Sequence, residues 1–209
     1  MTLRVTLTRT TVSERRWLLS VSLVTSIAFA ILAIWAYSAT AALWEQQVVD
    51  ALALREGLPS DLVRTLNTMG NLYNWAVVVA IAAVAVGILR GIRAGVLVGA
   101  SFFVDFIATL AKSFVERGRP DTTEAHLLFG IDSFGFPSGH TARAAALVGA
   151  LVWVFLPTRY RVPGAILGAI AGGFVMGYAR VALGVHFPTD TLGGLLLGVA
   201  WFALTAALI

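Results

Sequence analysis

The chain has 209 residues, 58% of them hydrophobic and 12% charged, with a formal net charge of +4. Soluble domains are about 45–50% apolar and about 25% charged, so this balance excludes an ordinary soluble domain and points to one membrane-integral domain spanning residues 1–209. The absence of cysteine excludes disulfides and thiolate metal sites, and the basic residues stand in small groups between apolar runs rather than in the patch that nucleic acid requires.

A hydrocarbon core of about 30 Å takes about 20 apolar residues as helix, and about six stretches meet that length. The first runs from Trp17 to about Leu43. Its length exceeds the 7–15 residues of a signal-peptide core, so it reads as an uncleaved anchor despite the "ATA" at 39–41. Residues 44–70 then form an outer, interfacial segment. There Trp44, Val48, Ala51 and Leu52 recur at helical spacing, and Ser60 and Asp61 can cap a second short helix carrying Leu62, Val63 and Leu66. The second span is Leu72–Leu89 and the third Ala94–Val115. The fourth runs from Pro137 to Leu156, the fifth from Pro163 to about Leu183, and the sixth from about Thr189 onward. The expected fold is all-α, a bundle of about six transmembrane helices. The glycines of "GAILGAIAGGFVMG" and "GGLLLG" read as close helix packing.

Three arginine groups fall on one face if the spans alternate: Arg4, Arg9, Arg15 and Arg16; Arg90 and Arg93; Arg159 and Arg161. The positive-inside rule makes that face cytoplasmic, with both termini. The remaining polar residues then converge on the outer face. They are Lys112, Arg117, Arg119 and Pro120; "FPSGHTAR" at 136–143; and "ARVALGVHFPTD" at 179–190.

These groups have a common chemistry. Lys112, Arg119 and Arg180 offer positive charge, and arginine presents a planar fork that suits phosphate oxygens. Pro137 and Ser138 start a helix whose first N–H groups lack helical partners, an anion site that Gly139 leaves open. His140 and His186 can act as acid and nucleophile near neutral pH. Asp190 can orient His186 by accepting from one ring nitrogen. The residues alone leave open which histidine attacks.

Asp105, Thr109 and Lys112 share a helix face. Asp105 reads as part of a structural buried pair, with Lys112 or with Arg143. Arg143 lies three residues after His140 and could touch the second phosphate of a diphosphate. Glu116 and Arg117 read as a solvated loop. Asp121, Glu124, His126 and Asp132 fit no metal-binding spacing.

The sequence resembles the type 2 phosphatidic acid phosphatase family, the membrane relatives of vanadium haloperoxidases. "KSFVERGRP" from Lys112 to Pro120 matches the family's first motif, lysine, six residues, Arg-Pro. "PSGH" from Pro137 to His140 matches the second. Arg180, His186 and Asp190 carry the spacing of the third. The motifs lie within 112–190. The resemblance implies that His186 attacks phosphorus to give a transient phosphohistidine, supported by Asp190, and that His140 protonates the leaving oxygen. It implies that Lys112, Arg119, Ser138, Gly139 and Arg180 hold the phosphate, and that no metal or other cofactor is needed. The family's serine before the third-motif arginine is Ala179 here. One neutral hydrogen bond is worth roughly 0.5–1.5 kcal/mol, so a working enzyme is still expected.

The expected activity is metal-independent hydrolysis of a lipid phosphate or polyprenyl diphosphate at the outer face of the cytoplasmic membrane. Undecaprenyl diphosphate is the favoured substrate, and phosphatidic acid and phosphatidylglycerol phosphate are the alternatives. Phosphotransfer to another acceptor is a further one. A non-catalytic lipid-phosphate transporter is the rival from another class, but it has no need of the His186–Asp190 pair. Oligomeric state is not legible from the sequence.

Overall fold

In a computed structural model of the chain, residues 10–38, 42–52, 60–122 and 134–209 are described. Among them the secondary structure is helical throughout. The order is α1 (Val12–Ser38), α2 (Leu43–Leu52), α3 (Ser60–Met69), α4 (Leu72–Arg90), α5 (Ile92–Ala100), a 3-10 turn (Ser101–Phe103), α6 (Val104–Val115), α7 (Gly139–Phe155), α8 (Thr158–Ala182) and α9 (Pro188–Leu208). Through the 3-10 turn, α5 and α6 form one span, Ile92–Val115. Among the described residues, five helices are long and apolar enough to cross a membrane: α1, α4, α5–α6, α8 and α9. The fourth expected span, α7, has 17 residues. At 1.5 Å per residue it is only about 25 Å long.

Local chemistry accounts for the breaks. Thr11 and Glu14 form a reciprocal box at the start of α1, with Thr11 N donating to Glu14 Oε2 at 2.8 Å and Glu14 N to Thr11 Oγ1 at 3.2 Å. Asn71 caps α4 by accepting from Tyr73 N. Gly91 separates α4 from α5 at φ 97°, a backbone conformation that side chains disfavour. Pro188 opens α9 at a position where no N–H is needed.

The fifth span starts earlier than its apolar run suggests. Helix α8 begins at Thr158 and contains Pro163 near its start. The first starts earlier too, at Val12, and is helical to Ser38. Arg4, Arg9 and the "ATA" at 39–41 lie outside the described residues.

Helix α7 is the hub, buried along most of its length and packed against α5, α6, α8 and α9. Trp153 of α7 meets Phe202 of α9 edge to face, 6.3 Å between ring centres. The two backbones touch farther along: a Cβ on Gly198 would lie 2.4 Å from the Ala142 carbonyl oxygen. Outward faces are apolar, with Ile27, Ile31, Ile81, Val84, Phe106, Phe114, Leu167 and Phe174 all exposed. Such a surface is stable against lipid chains and not against water.

The ends of the bundle differ in character. At one end, Arg161 pairs with Glu14 at 3.7 Å and lies over Trp153, and Arg90 lies over Phe155. Thus the start of α1, the end of α4, the end of α7 and the start of α8 share one face. Arg161 is a buried, paired group there rather than a free topology signal. The other end gathers the motif residues.

The described parts of the interfacial segment are the helices α2 and α3, but a different face of α2 is buried. Glu45 and Val49 are wholly enclosed, while Trp44 is half exposed. In α3, Val63 and Leu66 pack on Ala179, Leu183 and Val185, while Leu62 of the expected apolar set is exposed.

Gly198→Ala should force α9 off α7 and destabilise the fold by about 1–3 kcal/mol, as overpacking does. Gly99→Ala, whose Cβ would meet Ala83 at an ordinary 3.7 Å, should be tolerated. Thermal unfolding of the two variants in detergent compares them.

Candidate active site

Helix α6 ends where Glu116 takes a left-handed backbone at φ 50°, with its N–H closing on the Lys112 carbonyl. The chain then turns back over the bundle end and carries Arg117 and Arg119 inward. Opposite, α8 ends at Ala182, and a short loop brings His186 to the start of α9. Helix α7 begins between them at Ser138–Gly139, with Ser138 N donating to the Asp190 carbonyl at 2.9 Å. Four chain segments therefore meet within one small volume.

His186 is the centre. Its Nδ1 lies 3.4 Å from Asp190 Oδ2, and its Nε2 lies 3.2 Å from Arg119 Nη1. The first contact is long for a hydrogen bond. Arg119 is itself fixed by donating to the Val185 carbonyl at 2.8 Å. Asp190 is wholly buried and accepts from Phe187 N at 3.0 Å and from Arg117 Nη1 at 2.9 Å.

Lys112 donates to the carbonyls of Phe134 and Gly135 at 3.1 and 3.2 Å, which places its ammonium beside the same cluster. Burial pushes the His186 imidazole well below the usual histidine range, and the positive charges of Arg119, Arg180 and Lys112 push it the same way. Burial also lowers Arg119, to about 10, against the opposing pull of Asp190.

His140 sits in the first turn of α7. Its Nδ1 is 3.2 Å from Arg143 Nη2, and its Nε2 is 3.3 Å from the Asn67 carbonyl. Arginine can only donate, so Nδ1 is the acceptor and Nε2 carries the proton. Arg143 also donates to Asp105 Oδ1 at 2.5 Å and to the Gly70 carbonyl at 2.6 Å. The Asp105–Arg143 pairing follows the structural reading of the sequence. On Gly139, a Cβ would lie 3.1 Å from Asp105 Oδ1, so this carboxylate borders the open side of the glycine. Ser138 is wholly buried, and its hydroxyl accepts from Thr141 Oγ1 at 3.1 Å.

The structure thus brings Lys112, Arg119, Ser138, Gly139, His140, Arg143, Arg180, His186 and Asp190 to one end of the bundle. It corrects one expectation. Arg117 is not solvated: it is 5% exposed and bonds Asp190, Thr189 and Glu45. The apolar rings of Trp35 and Phe187 cover its guanidinium at 5.3 and 5.0 Å. Glu45 and Asn67 escape the sequence reading too. Glu45 gives no signal beyond being a carboxylate on a short helix, and Asn67 looks like an ordinary surface residue. Asn67 Oδ1 accepts from Arg180 Nη1, so the last turn of α3 covers both Arg180 and His140. Of the outer-loop carboxylates and histidine, Glu124, His126 and Asp132 lie outside the described residues.

Known proteins resemble this arrangement. A crystal structure of a transmembrane PAP2-type phosphatidylglycerolphosphate phosphatase from Bacillus subtilis superposes with a TM-score of 0.71 at 25% identity, covering 88% of this chain and 93% of that one. The lipid A 1-phosphatase of Rhizobium johnstonii is 34% identical over 114 residues, 51% of this chain and 43% of the relative. Phosphatidylglycerophosphatase B of B. subtilis is 39% identical over 99 residues, 44% of this chain and 46% of the relative. The chain thus matches less than half the length of either protein. The decaprenylphosphoryl-5-phosphoribose phosphatase of Mycobacterium tuberculosis is 31% identical over 159 residues, 72% of this chain and 80% of the relative. The family model of the PAP2 superfamily matches residues 91–209. With that match spanning more than half its length, this multi-pass membrane protein belongs to the PAP2 superfamily.

Proposed function

We propose that the chain is a lipid phosphatase that works through a phosphohistidine on His186, without a metal. The observation that carries this reading is the His186 ring, held between Asp190 on one nitrogen and the cation cluster on the other. With the Nδ1 proton directed to Asp190, Nε2 holds a lone pair and faces the place where Lys112, Arg119 and Arg180 would gather phosphate oxygens.

In the first step Nε2 attacks phosphorus and the bond from phosphorus to the lipid oxygen breaks. His140 takes up a proton as the anionic substrate arrives, and the resulting imidazolium supplies its Nε2 proton to the leaving oxygen and returns to the neutral ring. In the second step water attacks the phosphohistidine, His140 takes the water's proton, and His186 is regenerated with release of phosphate. The Ser138 hydroxyl and the Gly139 amide complete the cradle at the start of α7. Arg143, fixed by Asp105 and the Gly70 carbonyl, lies beside His140 and is the group to meet a second phosphate.

Asn67 holds the positions a substrate would claim. Its side-chain oxygen sits on Arg180 and its carbonyl on His140. Phosphate binding therefore displaces the end of α3.

Several features favour a lipid substrate. The bundle presents apolar faces to the bilayer, so a chain can stay in lipid while its phosphate enters the cluster. The relatives are named for lipid A, phosphatidylglycerophosphate and decaprenylphosphoryl-phosphoribose. By the positive-inside rule Arg15, Arg16, Arg90, Arg93 and Arg159 lie in the cytoplasm, which favours a site at the outer face of the cytoplasmic membrane. There an undecaprenyl diphosphate is our preferred substrate. We also treat the described core as part of one domain covering the whole chain.

The test is phosphate release by purified protein in detergent with EDTA present. Undecaprenyl diphosphate, phosphatidic acid and phosphatidylglycerol phosphate are offered in parallel. Release should persist in EDTA and fall on the order of 10³-fold or more in His186→Ala. Metal-dependent release, or release unaffected by that substitution, contradicts the reading.

The pH profile gives a second check. His186 must be neutral to attack, and its pKa is lowered, so activity is lost only as pH falls through a value below the ordinary 6.5. In kcat/KM, which reports the free enzyme, Arg119→Gln should move this acid limb to higher pH, because a positive neighbour is gone. The same variant should raise KM. A limb that stays fixed or moves down contradicts the assignment.

A further inference from the structure

Glu45 belongs to none of the motifs, yet it is wholly buried against the site. Both its oxygens are engaged. Oε2 accepts from Arg117 Nη2 at 2.5 Å, and Oε1 accepts from Thr189 Oγ1 at 2.5 Å and Thr189 N at 3.4 Å. Arg117 in turn reaches Asp190 Oδ1 at 2.9 Å through its other arm. The guanidinium lies between two carboxylates, and Trp35 and Phe187 keep water from its faces.

The charges of this chain matter. Arg117 alone would neutralise Asp190 and leave the His186 ring beside a pair with no net charge. With Glu45 present, the network Glu45–Arg117–Asp190 carries one net negative charge. Among the described residues, the other titratable or charged groups around His186 are Lys112 from α6, Arg119 from the loop after it, His140 from α7 and Arg180 from α8, and all of them act against a proton on the ring. Helix α3 brings neutral Asn67 to the cluster, and α1 the ring of Trp35. The negative side of the imidazole therefore rests on the Asp190 network.

We propose that Glu45 is a positioning residue for the reaction: it anchors Arg117 and offsets its charge, so that Asp190 is held in place and the network as a whole stays net negative toward His186. The short helix α2 is then part of the active site's support and not only an interfacial cover. This rests on the reading of His186 as nucleophile and Asp190 as its support.

The experiment is an NMR titration of the His186 ring in detergent, with its resonance assigned by loss in His186→Ala. It needs no turnover. Arg117→Gln should raise the ring pKa by about one unit, since one opposing positive charge has gone. Adding Glu45→Gln to Arg117→Gln restores the network's single negative charge and should bring the ring back to within a few tenths of a unit of wild type, by the same electrostatic rule. A double variant that titrates like Arg117→Gln alone overturns the proposal, and so does a ring unmoved by either change.

Kinetics supply the second arm. Glu45→Gln should lower kcat on the order of tenfold, as outer partners of an oriented group do, with KM little changed. Glu45→Asp, which keeps the charge, should recover most of that loss. A loss that Glu45→Asp does not recover speaks against the charge role. Should Glu45→Gln not fold alone, the Arg117→Gln pair decides by titration. Turnover that survives in His186→Ala defeats the nucleophile assignment, while the titration still decides the charge arrangement.

Discussion

The site depends on one buried carboxylate. Asp190 joins three pieces of chain through four contacts: its side chain takes Arg117 and, from its own turn, the His186 ring and the Phe187 amide, and its carbonyl takes the Ser138 amide. An isolated buried carboxylate loses several kcal/mol of hydration. Asp190 is tolerable at the head of α9 because every contact offsets part of that loss. Its position at the third residue of the helix adds the helix dipole and a free backbone N–H. Removing one partner of such a network typically costs about 3–5 kcal/mol, because the remaining charge is left uncompensated. The fold and the site share this interaction.

The second constraint is the crowding of positive charge. Lys112, Arg119, Arg143 and Arg180 converge at the mouth of an apolar bundle, and each pays for its burial in solvation. Backbone carbonyls, Asp105 and Asn67 take some of their donors in this structure. Such an arrangement favours an anion of high charge density, and it favours one more in a transition state where charge accumulates on phosphoryl oxygens. The same field keeps His186 neutral, the state that the proposed nucleophile needs. In the proposed reaction, binding and activation draw on one set of residues.

Much of this was legible in the sequence. The spans follow from apolar run length, and the motifs could be placed at one end by counting spans between arginine groups. Lys112, Arg119, His140, Arg180, His186 and Asp190 stand out because a charge in an apolar setting needs a reason. Residues outside such settings carry no such signal. Arg117 sits among polar loop residues and looks solvated until Trp35 and Phe187 are seen to cover it. Glu45 is invisible for the same reason, since burial of α2 on the face of Glu45 and Val49 is decided by the rest of the bundle and not by its own amphipathic pattern. In the sequence Ala179 shows only as a missing serine. Its methyl group packs beneath α3 with Val63 and Leu66, so this position is part of an apolar seat for the helix that covers the site.

The central claim is covalent catalysis by His186. It is tested most directly by rapid mixing with a lipid phosphate carrying labelled phosphorus, followed by an alkaline denaturing quench that preserves phosphohistidine. The account predicts transient label on the peptide containing residue 186, lost on acid treatment and absent in His186→Ala. Phosphate release at the full rate with no labelled protein, or label on a different residue, would contradict it.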